Sequence, residues 1–302
     1  MKPRTYKHGI FLLCLPWLTI IGSIRPAPAV VMYNVTFNDP GKQFVAFYDD
    51  ITANAVAAGA AWGTHLAGDA SIEVEISFDP VLPTATGASR TSAFVEVRNG
   101  INIFEQGAAA EVRTGIDPNG VAPDAVITLG TEYLVNDLWF DLQPTLRTAS
   151  IPGGRVDAYS VFLHEFGHVY AFNGFRDPFT GLLPADYASP YDANVVFDGE
   201  NFFFVGPFAT TVYGGLVPLT YGNYAHVANA FPRPGSDLTL DLMNGVVFFR
   251  ETRYDISLLD LAIFSDVGLP VLSATPEPST ISLWVGGGLW LLLLVAWRRP
   301  RR

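Results

Sequence analysis

Val161-Phe162-Leu163-His164-Glu165-Phe166-Gly167-His168-Val169-Tyr170 is the stretch that decides how this chain is read. Histidines four residues apart on an α-helix share one face, about one turn apart, so both imidazoles can reach a single metal ion. The glutamate between them lies beside such an ion without having to ligate it. There it can take a proton from water and later hand it to a leaving amine. The flanks fit a helix: Phe162, Phe166, Val169 and Phe172 supply apolar positions, and Asn173-Gly174 supplies a stop. The spacing predicts a start near Asp157, just after the loop Ile151-Pro152-Gly153-Gly154. Two histidines satisfied on a buried helix would be the bland account. With only 5 histidines in 302 residues, however, this spacing seldom arises by chance.

A catalytic zinc takes three protein ligands and keeps one position open. Beyond residue 29 the chain offers only His65, His164, His168 and His226. His65 falls near the end of an early helix and reads as an isolated, satisfied or exposed histidine. His226 ends the turn-rich segment Gly222-Asn223-Tyr224-Ala225-His226, and Met243 follows 17 residues later in Leu242-Met243-Asn244-Gly245. His226 is therefore the candidate third ligand. A carboxylate from Asp186, Asp192 or Glu200 is the alternative, and ordinary core packing is the alternative for Met243.

The HExxH motif, the long insertion, the late histidine, the methionine turn and a final helix resemble the metzincin zinc metalloproteases, in particular their leishmanolysin-like members. The same order resembles HExxH-bearing secreted bacterial proteins. The resemblance covers Asp124 to Leu272. It implies Zn2+ held by His164, His168 and His226, with Glu165 as the catalytic base of an endopeptidase acting on proteins or peptides. It also implies an α+β fold of two lobes around a cleft, with a mixed sheet and an active-site helix. The compact metzincin pattern asks for glycine at 171 and histidine at 174. This chain has Ala171 and Gly174, so the exit from the motif helix must be built differently. A weakly catalytic or non-catalytic surface or matrix protein on the same fold is the competing reading.

Residues 1–29 read as a signal peptide: Lys2, Arg4 and Lys7 precede the apolar run Ile10 to Ile21, and Ala27-Pro28-Ala29 offers a cleavage site. Cys14, the only cysteine, lies inside it, so the domain at 30–273 is expected to hold no disulfide. At the other end, Pro276-Glu277-Pro278 precedes the apolar run Ile281 to Trp297 and the tail Arg298-Arg299-Pro300-Arg301-Arg302. At about 1.5 Å per residue the run spans roughly 25 Å, near the lower limit for a transmembrane helix. Residues 274–302 resemble a PEP-CTERM sorting signal. That implies an exported protein, anchored transiently in the inner membrane, cut by an exosortase-type enzyme and passed to the cell surface or extracellular matrix. A permanent anchor is the alternative.

The formal charge of −11 hides an asymmetry, because without the two ends ten basic residues face 28 acidic ones. Such a surface repels nucleic acid, which is excluded as a partner, while it can attract cations such as calcium. Asp117-Pro118-Asn119-Gly120 looks like part of a calcium loop. It lacks the other carboxylates at EF-hand spacing and reads as a turn. Ser71 to Phe78 alternates strictly and predicts a half-solvated strand. Ala93 to Val97 and Ala125 to Leu129 are further strands, and Val195 to Phe197 with Asn201 to Val205 form a hairpin. Helices are expected at Ile51 to Leu66, capped by Asp49-Asp50 and closed by Gly68, and at Ile256 to Asp266, capped by Asp255 or Ser257.

Overall fold

Ile72, Val74 and Ile76 are fully buried, whereas Glu73, Glu75 and Ser77 that alternate with them are only partly so, and this alternation makes one of the two central strands of the main sheet. The structure is a computed structural model that describes residues 30–272. The expected signal peptide and sorting signal, including the apolar run 281–297, lie outside the described residues. Among the described residues no helix is long and apolar enough to cross a membrane.

The architecture is α+β with mixed sheets. Strand β1 (Val31–Asn38) feeds α1 (Tyr48–Gly63), which returns the chain to β2 (Ala70–Asp79), parallel to β1. Then come β3 (Ala85–Ser89), the antiparallel pair β4 (Ser92–Arg98) and β5 (Ile101–Gln106), helix α2 (Gly107–Thr114) and β6 (Ala125–Gly130). The main sheet has the order β1-β2-β6-β3, with β3 antiparallel on one edge. Helix α3 (Thr131–Asn136) and the short parallel pair β7 (Leu138–Trp139) and β8 (Val156–Asp157) lead to the motif helix α4 (Ala158–Tyr170).

Helix α4 starts where its sequence predicts. The Asp157 carboxylate caps it, accepting from Ser160 N at 3.3 Å and from Ser160 Oγ at 2.6 Å. Arg147 and Arg253 lie 3.9 Å from the same buried carboxylate. Phe162, Phe166 and Val169 are completely buried, each worth about 1.5–3 kcal/mol of apolar transfer. Across the core, Trp62 of α1 donates Nε1–H to Leu163 O at 2.9 Å, so one hydrogen bond joins α1 to the backbone beside the motif.

Helix α1 differs from the expected one. It runs from Tyr48 to Gly63, its N-cap Phe47 makes no side-chain cap, and Asp49 and Asp50 lie within its first turn. There their charge faces the unpaired N–H groups of the helix start and favours them electrostatically. The helix ends at Thr64, not at Gly68.

After α4 the chain forms β9 (Tyr187–Ala188), which extends β5, and the small antiparallel sheet β10 (Val195–Phe197), β11 (Phe202–Phe204) and β12 (Val217–Pro218). Helices α5 (Pro207–Tyr213) and α6 (Leu258–Asp266) complete it, one helix more than the sequence indicated. Ser257 caps α6 in a reciprocal box with Asp260, while Asp255 pairs with Arg147 instead.

Candidate metal centre

His164 and His168 project from α4 into a cleft of about 500 Å³. His226 reaches the same point from the segment that follows β12. That segment is laced to its surroundings by backbone bonds from Thr220 N to His226 O at 2.9 Å, Val227 N to Met243 O at 2.9 Å and Gly245 N to Val227 O at 3.2 Å. The loop carrying Met243 is thus the support on which His226 rests.

The three Nε2 atoms form a triangle with sides of 3.1, 3.1 and 2.9 Å. His164 Nδ1 lies 2.7 Å from Leu242 O, and His168 Nδ1 lies 2.7 Å from Phe172 O. A carbonyl only accepts, so these two Nδ1 atoms carry the protons and their Nε2 atoms are bare lone pairs. Asn223's backbone lies beside His226 Nδ1 without closing a well-formed hydrogen bond. Converging lone pairs repel one another unless a cation lies between them. Zn–N bonds of about 2.0–2.1 Å at tetrahedral angles need N···N separations of roughly 3.3 Å, so the triangle fits zinc after a small expansion.

Burial pushes the imidazoles down: His164 to about 3, with the neighbouring His168 adding to the effect, and His168 to about 4. His226 is driven well below its ordinary value, first by burial and then by the other two rings. All three are therefore neutral and ready to ligate at physiological pH. In the metal-free protein they carry no protonation penalty above about 6.5, and stability falls as pH drops from there towards the depressed values, because the unfolded chain binds more protons. In the fold, protons compete with metal only well below the ordinary histidine range. Zinc content after dialysis is expected to be the same at about pH 5 as at about pH 7.5. Loss of zinc between those two values would contradict imidazoles whose protonation burial has driven below the ordinary range.

Glu165 lines the same cleft and is only 5% exposed. Burial pushes its carboxyl up to about 8, and the Gly87 backbone N–H counters that shift. Gly87 belongs to the edge strand β3, and a Cβ there would overlap the Glu165 backbone. A glycine is what lets β3 run this close to α4. Gly167, the fourth residue of the motif, has a similar role. A Cβ at Gly167 would overlap Sδ of the fully buried Met243. Gly167→Ala is expected to cost about 1–3 kcal/mol by overpacking and to lower the melting temperature by several degrees. Thermal unfolding of the metal-free variant checks this, and a melting temperature equal to that of the parent would remove the contact.

The departure from the compact motif is explained by the backbone. Ala171 leaves the helix at φ −142°, a conformation that needs no glycine, while Ala171 N and Phe172 N both donate to Gly167 O at 2.9 and 3.0 Å. A side chain at Gly174 would run into Asp192 and Tyr224.

The alternative carboxylate ligands do not join the triad. Asp192 is buried and fully engaged: Tyr224 Oη donates to Oδ1 at 2.7 Å, and Phe175 N and Ser189 N donate to Oδ2 at 2.8 and 3.0 Å. Glu200 lies 3.6 Å from Arg233, and Asp186 sits beside Asn102. His65 takes no part either. Tyr133 is among the cleft residues that the sequence does not mark. Tyr133 of α3 lies beside Glu165, and burial and that carboxylate push its phenol up, so it presents a neutral hydroxyl. No local motif marks it; only the packing of α3 brings it there.

Comparison with protein-family models, with curated proteins and with solved structures finds no match for this chain.

Proposed function

We propose that the protein is a zinc-dependent endopeptidase of metzincin type, with His164, His168 and His226 as metal ligands and Glu165 as the general base. The observation that carries this reading is the meeting of three imidazole Nε2 atoms and one buried carboxylate in a single cleft. A zinc ion held there supplies Lewis acidity, polarising a carbonyl and acidifying water. Glu165 takes the proton released and returns it to the departing amine. With a cation held by the three histidines, the Glu165 carboxyl would ionise more readily than in the metal-free protein and could accept that proton.

The cleft geometry favours a polypeptide substrate. Thr84, Ala85, Thr86 and Gly87 of the edge strand and its approach line the cleft together with Asn244 to Phe248. An unpaired strand edge accepts an extended chain through backbone hydrogen bonds, which position a peptide bond without demanding one side chain. The main sheet on one side and the coil-rich segment with the small sheet on the other are the two lobes of this reading. The purified protein is expected to cleave unfolded casein-type substrates, to lose that activity on chelation and to regain it with zinc. Absence of cleavage by a protein carrying one zinc per chain would favour the surface or matrix role.

The ends extend the proposal. Export, transient inner-membrane anchoring and exosortase-type processing would place the domain at the cell surface or in the extracellular matrix. Intact-mass measurement of protein recovered from its host is expected to give a chain ending near Pro276-Glu277-Pro278. A mature extracellular species that retains Arg302 would replace sorting with a permanent anchor.

A further inference from the structure

A second group of acidic side chains lies away from the histidines. Glu111 near the end of α2, Asp117 in the following loop and Asp124 just before β6 each bring a carboxylate oxygen within 4.8 Å of the others. The two inner residues are almost completely enclosed, Glu111 at 4% exposure and Asp124 at 0%. One oxygen of each is fixed by the backbone: Ser71 N donates to Glu111 Oε1 at 2.8 Å, and Glu73 N donates to Asp124 Oδ2 at 2.8 Å. The other oxygens, Glu111 Oε2 and Asp124 Oδ1, are buried without any hydrogen-bond partner. Leaving such groups unmatched is costly, and more so when they are charged.

Among the described residues no cationic side chain pairs with them. None of the ion pairs among the described residues involves Glu73, Glu111, Asp117 or Asp124. Burial raises the Glu111 carboxyl, and the Asp117 and Glu73 charges add to the shift. Asp124 is raised first by burial, with Glu73 and Glu111 contributing. The opposition among these like charges is what a bound cation removes.

We propose that Glu111, Asp117 and Asp124 form a calcium site that clamps α2, the loop 115–124 and the start of β6 together. An all-carboxylate donor set selects a hard cation over zinc. An oxygen-to-oxygen span of up to 4.8 Å suits Ca–O distances of about 2.3–2.6 Å better than the tighter shell of magnesium at about 2.0–2.1 Å. Asp117 is exposed, so water can complete the coordination and the ion has a way in. Sequence spacing could not reveal this site, because Asp117 lacks EF-hand partners nearby and the fold supplies them from 6 residues before and 7 after.

The test is calcium titration of the zinc-loaded full-length chain by calorimetry, with thermal unfolding in parallel. One calcium per chain is expected, with affinity on the order of 10⁻⁵–10⁻³ M. Saturating calcium should raise the melting temperature by roughly 5 °C or more, and magnesium by less than half as much. Asp117→Asn keeps the oxygen that accepts from Asn119 N at 2.8 Å and Gly120 N at 2.7 Å, so the loop should fold while calcium affinity drops at least about tenfold. Glu111→Gln should abolish the calcium response and leave a metal-free protein at least as stable as the parent, because it removes one unanswered charge. No saturable calcium binding up to about 10 mM, equal response to magnesium, or parental affinity in Asp117→Asn would each overturn the assignment.

Discussion

Glu165→Gln is expected to lower peptide hydrolysis by about a thousandfold or more while the protein keeps one zinc per chain. Glutamine has the shape of glutamate but cannot accept a proton, so the change removes the base and little else. Zinc should stay, because the ligand triangle is built from His164, His168 and His226 without this carboxylate. Stability should hold or rise, since a carboxyl that burial pushes up to about 8 is costly to ionise in the metal-free fold. The variant is therefore compared with the parent on three readouts: cleavage rate, zinc content and melting temperature. A rate within about tenfold of the parent, with zinc intact, would remove Glu165 from the role of base.

His226→Ala is expected to lower zinc affinity at least about a hundredfold, and His65→Ala to leave it unchanged. The asymmetry follows from position. His226 Nε2 sits 3.1 and 2.9 Å from the other two ligand atoms, whereas His65 lies outside the group. Removing His226 leaves two ligands, and none of Asp186, Asp192 or Glu200 is free to move in without breaking contacts it already makes. Competition with a zinc-sensitive dye measures both variants, and equal affinity of His226→Ala and parent would refute the third ligand.

Much of this centre could be read from the chain because its signals are local. Asp157, the apolar positions of α4 and the HExxH spacing lie within 14 residues, and helix geometry alone places two imidazoles together. The strand at β2 was legible for the same reason, since period-two alternation needs no partner to be recognised. His226 emerged from the short histidine inventory and from Met243 following it, while the backbone bonds that join the two are encoded by no sequence period. The edge strand β3 was missed. Ala85-Thr86-Gly87-Ala88-Ser89 has no large β-branched residue, because Gly87 must be small beside Glu165 and pairing with β6 supplies the rest. Strand β1 carries a local signal of the same kind, Tyr33, Val35 and Phe37 alternating with Asn34, Thr36 and Asn38, and was nonetheless overlooked, whereas Tyr133 owes its place to the packing of α3 alone. Helix α1 was found but shifted, since Asp49 and Asp50 serve its first turn and do not cap it.

Where zinc binds, and which atoms hold it, separates a histidine-built catalytic centre from the alternatives. Anomalous diffraction at the zinc edge from crystals of the zinc-loaded protein measures this in one step. The result predicted is a single strong peak on α4's side of the cleft, with Nε2 of His164, His168 and His226 each at about 2.0–2.1 Å and Glu165 not among the ligands. A peak held by a carboxylate in place of His226, or one lying away from the histidine triangle, would contradict it.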